Sequence, residues 1–349
     1  MKLIREGDRS DEVADVQTRL GMLGIDVDDE HGTFGPGTRR AVRLFQQQRG
    51  ILTDGVVGPN TWSELVEAGW RLGDRVLYLK HPPMRGDDIA TLQRNLNALG
   101  FVSGREDGIF GVNTSRAVRG FQKEYGIPED GIFGSKSLEG LLGLRVDRPG
   151  TAVAIHEELD RGRAGGIEGA LVMIDPGHGG GEPGARGKHG VEEAEICWDI
   201  ARRLALSLVG AGARVRLTRT EADGPEATTR AQRANALGAD IFVSLHLNTH
   251  EEDTAEGTST FYFGGSRGGE ALAEHIQNEL VGQGARDCRS HARSYPILKE
   301  TRMPAVLVEP AFITNPDEEK KLEDSDFRAA VASAIAASIR HYYTSAERA

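Results

Sequence analysis

Residues 170–181, ALVMIDPGHGGG, join a short apolar run to a glycine-rich segment that contains one histidine. Four more apolar or alternating runs follow, and segments with an apolar face in helical periodicity accompany them. This alternation predicts an α/β domain whose mostly parallel sheet is covered by helices on both faces. The further strands are predicted at 213–217, 241–247, 258–263 and 305–308, and the helices at 192–209, 229–237, 269–281 and 327–343.

Side chains suited to catalysis stand where the predicted strands end, which is where parallel sheets form their sites. His178 lies in the loop after the first strand, His246 near the end of the third, and Glu309 at the end of the last. Glu193 lies in the opening turn of the first helix. Two histidines and one glutamate are the ligands of a common class of catalytic zinc site, which keeps a position open for water. The histidines and Glu193 are therefore assigned to one zinc ion, and Glu309 is expected to accept and return a proton.

Several neighbouring residues are alternative metal ligands or are expected to support the site. Glu192 is the main rival of Glu193 for the metal, and Glu195 is a weaker one. Cys197 lies one helical turn after Glu193 and is expected to be a core thiol. Other polar residues are assigned by chemistry alone: Asp175 and Asn248 as groups that orient the metal-bound imidazoles, and His189, His250 and His291 as loop residues that contact substrate or solvent.

The first half of the chain is an internal repeat. Residues 9–65 align without a gap to residues 85–141, with 24 of 57 positions identical. Within a copy, Val13, Val16, Leu20 and Leu23 recur at helical spacing, which predicts a first helix. A second helix is predicted with Thr38 as its N-cap and Gly50 at its end, and a short third helix at 61–65.

Composition restricts the class of protein. The chain is 38% hydrophobic and 27% charged, which is typical of globular proteins. Its net charge of −11 means that its overall electrostatic field would not attract the phosphates of nucleic acid. The sequence contains no run of about 18 apolar residues, so no membrane-spanning helix is predicted. Cys197 and Cys288 are expected to be unpaired thiols, although a bridge between them is not excluded by the sequence.

Each repeat resembles the three-helix peptidoglycan-binding domain, whose V-x-x-L-Q-x-x-L-x-x-L-G and D-G-x-F-G-x-x-T-x-x-A-V-x-x-F-Q segments are matched most closely by the second copy. The resemblance implies binding to wall glycan, and a spacer or protein-docking role is the alternative. The predicted domains are residues 1–70 and 80–143 for the repeats, 144–169 for a linker with one short helical stretch at 154–159, and 170–345 for the α/β domain.

Residues 170–343 resemble the zinc-dependent N-acetylmuramoyl-L-alanine amidases. The resemblance rests on the D-P-G-H-G-G segment at 175–180, Glu193 at the start of a helix, the S-L-H-x-N segment at 244–248, and the V-E-x-x-F-x-x-N-P segment at 308–316. It implies hydrolysis of the amide between N-acetylmuramic acid and L-alanine, in peptidoglycan or a muramyl-peptide. It also places Glu193, rather than Glu192, on the zinc and gives Glu309 the proton transfer.

Two other functions stay open at this stage. The chain also resembles cytoplasmic amidase-like proteins that regulate cell-wall precursor synthesis, with a protein partner and little or no hydrolysis. A zinc carboxypeptidase would need an arginine for the terminal carboxylate of its substrate, and the candidates are Arg289, Arg293 and Arg302. The first residues lack the apolar segment of a signal peptide, so the chain as given is expected to be cytoplasmic, facing the wall only after export by another route or if a signal has been lost. Whether residues 249–293 gate the site is left open.

Overall fold

The computed structural model describes residues 3–142 and 166–346, which fall in two compact units. The predicted linker, including its helical stretch at 154–159, lies almost entirely outside the described residues. No helix of the described residues is long and apolar enough to cross a membrane.

The first unit contains three helices in each repeat, as the sequence predicts. The first copy forms α1 (Asp11–Met22), α2 (Pro36–Arg49) and α3 (Pro59–Ala68), and the second forms α4 (Asp87–Ala98), α5 (Val112–Glu124) and α6 (Ser135–Leu142). Each copy buries its own apolar cluster, with Val13, Val16, Leu20 and Phe45 at the centre of the first.

Thr38 is not the N-cap of the second helix. The cap is Gly35, and Thr38 is a buried residue of the first helical turn. Asp29 supplies the capping carboxylate from the preceding loop and accepts hydrogen bonds from the backbone N–H groups of Gly35, Gly37 and Thr38. Local spacing favoured the threonine because it could not reveal that a residue nine positions earlier folds back onto the helix end.

A buried glutamine at the same position of each repeat makes the same set of hydrogen bonds. Gln46 Nε2 donates to Asp54 Oδ1, the Val56 carbonyl and Thr61 Oγ1, and its Oε1 accepts from the Gly55 N–H. In the second copy Gln122 makes the equivalent four bonds. One side chain thus closes an Asp-Gly loop onto the helix that precedes it.

Gln46→Leu is expected to lower the free energy of unfolding of the first unit by about 2–4 kcal/mol, because several buried donors and acceptors lose their partner together. Chemical denaturation followed by circular dichroism measures this change. Gln47→Leu is the matched control, since residue 47 is exposed on the same helix. Equal stability of the two variants would contradict a structural role for the buried amide.

The second unit is built on one six-stranded sheet with the order β2-β1-β3-β6-β4-β5. The strands are β1 (Leu171–Pro176), β2 (Arg214–Leu217), β3 (Ile241–Leu245), β4 (Thr258–Tyr262), β5 (Asp287–Ala292) and β6 (Ala305–Glu309). The first four in spatial order are parallel, β4 is antiparallel to β6, and β5 is parallel to β4. The predicted mostly parallel sheet is thus confirmed, with one antiparallel step.

β5 is a strand that the sequence pattern did not predict. Its sequence, DCRSHA, contains no run of large apolar residues, and it lies at the edge of the sheet, where its burial is low. Pairing with β4 makes it a strand, because backbone hydrogen bonding at an edge needs little apolar surface. Together β4, β5 and the helix between them account for most of residues 249–293, so this segment is largely part of the sheet and its covering layer.

Helices cover both faces of the sheet. One face packs against α7 (Glu193–Gly210), α9 (Arg267–Gly282) and α12 (Ser325–Ala346), and the other against α8 (Ala227–Leu237) and the short α10 (Pro296–Lys299). Helix α11 (Pro316–Glu323) follows the loop after β6. This packing brings the carboxyl ends of β1, β3 and β6 to one edge, where three of the predicted site residues lie.

Candidate metal centre and active site

Glu193 is the first residue of α7 and is buried at the centre of this edge. Its Oε2 lies 3.1 Å from His178 Nε2, and its Oε1 lies 2.9 Å from His246 Nδ1. Two backbone groups fix the carboxylate as well: the Ala185 N–H donates to Oε2 and the Leu247 N–H donates to Oε1. Burial opposes the charge of Glu193, but the hydrogen bonds with the two histidines outweigh it and hold the pKa of the carboxyl well below its usual range.

The two histidines reach Glu193 from separate turns. His246 follows β3, and His178 follows β1 with a φ of 55°, in the left-handed region that non-glycine residues rarely adopt. The three ligand atoms lie within 4.8 Å of one another. The sequence predicted these residues as metal ligands, and the structure brings them together.

Glycines allow the backbone to approach the cluster closely. A Cβ on Gly184 would lie 2.5 Å from His178 Cδ2 and 2.7 Å from Glu193 Oε2. A Cβ on Gly177 would lie 2.5 Å from His246 Cε1. Any other residue at either position would therefore displace a histidine of the cluster.

Glu309 ends β6 and lies beside this cluster. Burial and the nearby charge of Glu193 raise the pKa of Glu309 to about 8. A carboxyl with a raised pKa in a cleft is typical of groups that transfer protons near neutral pH. The position at the end of β6 and the raised pKa are consistent with the proton-transfer role that the sequence predicts for Glu309.

Removal of Glu309 is expected to change how the stability of the metal-free protein depends on pH. Because the folded-state pKa of Glu309 lies above its ordinary value of 4.5, its favourable contribution is complete below pH 4.5 and is lost as pH rises towards 8. Glu309→Gln should therefore gain stability relative to wild type between pH 5 and pH 8, by a few kcal/mol at most, since one pKa unit corresponds to about 1.4 kcal/mol. Calorimetry of both chelated proteins measures this, and parallel pH profiles would contradict the raised pKa.

The rivals of Glu193 lie away from the cluster. Glu192 Oε1 forms an ion pair of 2.6 Å with Arg186 Nη2, and Glu195 is exposed. Cys197 is fully buried in the apolar core, as expected, and both it and Cys288 are free thiols. Burial raises the pKa of the Cys197 thiol well above its usual value.

None of the remaining candidate histidines joins the metal cluster that the described residues form. His189 Nδ1 lies 2.9 Å from Glu319 Oε2, and His250 Nδ1 accepts a hydrogen bond from the Glu252 N–H. His291 Nε2 lies 2.7 Å from the Cys288 carbonyl oxygen. Each of these histidines therefore has a hydrogen-bonding partner outside the metal cluster.

Asp175 and Asn248 differ from the expectation that they orient imidazoles. Asp175 accepts from Thr218 Oγ1 at 2.5 Å, Ser244 Oγ at 2.7 Å and Arg230 Nη1 at 3.2 Å. Asn248 Nδ2 donates to Ser259 Oγ at 3.2 Å. Both side chains thus join neighbouring strands and loops of the sheet.

Arg219 is a supporting residue that the sequence reasoning missed. It is buried, and its guanidinium donates to the carbonyl oxygens of Pro176 and Gly177. These bonds fix the turn that presents His178. The same rule that selected His178 and His246 would have found it, since Arg219 also follows the carboxyl end of a parallel strand, β2.

Two adjacent glutamates at the start of α11 hold the loops around the site. Glu319 is fully buried and accepts from the backbone N–H groups of His189 and Val191, in the loop before Glu193. Glu318 accepts from the N–H groups of Gly257 and Phe312. The loop that precedes β4 is thereby fixed to the segment that follows Glu309.

Both units of the chain match families of known proteins. Residues 172–341 match the family described as N-acetylmuramoyl-L-alanine amidase. Residues 9–65 and 85–141 match the family described as putative peptidoglycan binding domain, and these are the bounds of the internal repeat found in the sequence.

Individual proteins are similar over different shares of the chain. The N-acetylmuramoyl-L-alanine amidase CwlM of Mycobacterium tuberculosis is 40% identical over 97% of this chain and 89% of its own length. The amidase LytC of Bacillus subtilis is 31% identical over 61% of this chain and 42% of its own length. Among solved structures, an N-acetylmuramoyl-L-alanine amidase from Clostridium difficile 630 is 32% identical with a TM-score of 0.50, covering 51% of this chain and 98% of that one.

Similarity to CwlM over nearly the whole length, together with the family match of the second unit, establishes the relationship. The chain belongs to the N-acetylmuramoyl-L-alanine amidase family, and its first unit consists of two repeats of the putative peptidoglycan-binding type.

Proposed function

We propose that this chain hydrolyses the amide between N-acetylmuramic acid and L-alanine with one zinc ion held by His178, Glu193 and His246, and with Glu309 as the proton-transferring group. The observation that carries the proposal is the cluster of two imidazoles and one carboxylate whose ligand atoms lie within 4.8 Å of one another. Glu309 lies near enough to this cluster for the charge of Glu193 to raise its pKa.

The donor set fits zinc rather than calcium or magnesium. Imidazole nitrogens suit zinc, whereas the harder cations take oxygen ligands. Glycines at 177 and 184 leave space where a Cβ would meet the ligand side chains, and backbone N–H groups already orient the carboxylate of Glu193. Zinc bound by this set supplies a Lewis acid for the amide carbonyl, an acidified water molecule and a positive charge that favours the ionised form of Glu309.

In the proposed reaction, Glu309 is the residue of this chain that transfers the proton from water to the leaving nitrogen. Ionised Glu309 accepts a proton from the attacking water as the water oxygen bonds to the lactyl carbonyl carbon. The same carboxyl returns that proton to the alanine nitrogen as the carbon–nitrogen bond breaks. The products are a lactyl carboxylate and a stem peptide with a free amino terminus.

We further propose that the two repeats bind wall glycan and so keep the catalytic unit on polymeric substrate. Their match to the putative peptidoglycan-binding family supports this role. A partner protein in cell-wall synthesis, as in the regulatory alternative, stays a prediction of the sequence. The converging ligand set favours a hydrolase over a regulator that has lost its metal site.

One experiment tests the proposed reaction. The purified full chain is analysed for zinc and incubated with sacculi and with a soluble muramyl-peptide, and the released products are identified by mass spectrometry. One zinc per chain and release of peptides that begin with L-alanine are expected. Stoichiometric zinc without turnover of either substrate would favour the regulatory function, and peptides shortened at their carboxyl ends would indicate a carboxypeptidase.

A further inference from the structure

One guanidinium joins the two repeats of the first unit. Arg49 is the last residue of α2 in the first copy, and its Nη1 and Nη2 each donate to one carboxylate oxygen of Asp87, both at 2.8 Å. Asp87 is the first residue of α4 in the second copy. Arg49 Nε also donates to Oε2 of Glu64, in α3 of the first copy, at 2.8 Å. Because the planar guanidinium matches a carboxylate at two points, the pair with Asp87 fixes orientation as well as distance.

A second arginine holds the same turn of α4 from the segment that connects the copies. Arg75 Nε donates to Asp88 Oδ2 at 2.7 Å and its Nη2 donates to Asp88 Oδ1 at 3.0 Å, and Asp88 is buried. The guanidinium of Arg75 lies over the ring of Trp70, 4.3 Å from the ring centroid, and Trp70 closely follows the end of α3. The first turn of α4 is therefore tied towards the first copy through two adjacent carboxylates.

Two of the three residues in the Arg49 contact differ between the copies. Residue 49 aligns with Tyr125 of the second copy and residue 64 aligns with Gly140, yet the second copy forms the same three helices. The three-helix fold thus does not require this guanidinium or the carboxylate of Glu64. Such a contact, present in one copy only and reaching into the other, is what a junction between the copies would need.

We propose that Arg49 and Asp87 hold the two repeats in one fixed relative orientation, which lets both bind a single wall-glycan polymer at once. This inference rests on the proposed wall binding by the repeats. When two binding modules are held at a fixed separation, the second binding event becomes intramolecular, and no further ordering of the connecting segment is needed. A soluble fragment that occupies one repeat gains nothing from this arrangement. The junction therefore favours polymeric over soluble peptidoglycan.

Double electron–electron resonance on the full chain tests the fixed orientation. Spin labels are attached at Leu44→Cys in α2 and Lys123→Cys in α5, both exposed positions, and Cys288→Ser removes the partly exposed native thiol. One narrow distance distribution is expected. Asp87→Asn should broaden it by about twofold or more, because a neutral amide cannot form the two-point charge pair. Asp11→Asn is the matched control, since Asp11 is the exposed counterpart of Asp87 at the start of α1, and it should leave the distribution narrow.

Binding of the zinc-free full chain to purified sacculi tests the consequence for the polymer. Asp87→Asn is expected to raise the apparent Kd for sacculi by about 3- to 30-fold, while the Kd for a soluble disaccharide-peptide changes by less than about twofold. Arg49→Lys keeps the charge without the two-point geometry and should act in the same direction. Asp11→Asn should match wild type on both ligands.

The outcomes separate the junction from the wall-binding role. Equal sacculus affinity of wild type and Asp87→Asn would overturn the proposal, and so would distance distributions of equal width for the two proteins. An equal loss of affinity for sacculi and for the soluble fragment would place the effect within one repeat and would also overturn it. If wild type itself does not bind sacculi, the proposed wall binding fails, and the preference for polymer fails with it.

Discussion

Glu309→Gln is expected to lower kcat by about 10²- to 10⁴-fold while the protein keeps its full metal content. A positioned acid–base group contributes this much to a rate, and the amide of glutamine can neither accept the proton of the attacking water nor return it to the alanine nitrogen. Metal binding should persist, because the ligand atoms of His178, Glu193 and His246 lie together without help from Glu309. Zinc analysis and peptide release from purified sacculi measure the two properties.

Glu195→Gln is the matched control for this experiment. Residue 195 is an exposed glutamate in the first turn of α7, so its substitution removes the same charge from the same region and should leave kcat unchanged. An active Glu309→Gln protein would refute the assigned role, and loss of zinc in that variant would make Glu309 a ligand.

Glu193→Gln is expected to weaken metal binding by more than about 100-fold and to abolish activity. Removal of a group that only orients a metal ligand lowers metal affinity by about 10- to 100-fold. Glu193 is itself a proposed ligand, oriented by the N–H groups of Ala185 and Leu247, so its removal should have a larger effect. His178→Ala should likewise lose both metal and activity. Titration of the metal-free proteins with zinc, with a competing chelator, measures the affinity.

Glu192→Gln is the matched comparison, because Glu192 is the main rival of Glu193 for the metal. Glu192 is paired with Arg186 and precedes Glu193 by one residue, so this variant should bind zinc as wild type does. If Glu192→Gln lost the metal and Glu193→Gln kept it, the ligand register would be wrong by one position.

The strand ends give the clearest case of a site predicted from sequence. His178, His246 and Glu309 were found because each follows an apolar run, and parallel strands deliver their carboxyl ends to one edge. The repeat was found because 24 of 57 positions are identical, and its bounds coincide with the family match. Covalent order and residue type were sufficient for these assignments.

Other features arise from contacts between residues distant in the chain. β5 exists as a strand because β4 offers it a pairing edge, and Asp175 turns to Thr218, Ser244 and Arg230 because folding places those groups around it. Similarly, the side chain that accepts hydrogen bonds from the first N–H groups of α2 is that of Asp29 in the preceding loop, and not that of Thr38.

The sequence by itself determined the α/β class, the two repeats, and the kinds of side chain that meet at the catalytic edge, because hydrophobic period and residue chemistry are local properties. Tertiary structure alone decided which groups surround the side chain of Asp175, that the buried Arg219 supports the turn that presents His178, and that Glu319 holds the loop before Glu193. These contacts join residues that are 42 to 130 positions apart in the chain, and no local pattern encodes such distances.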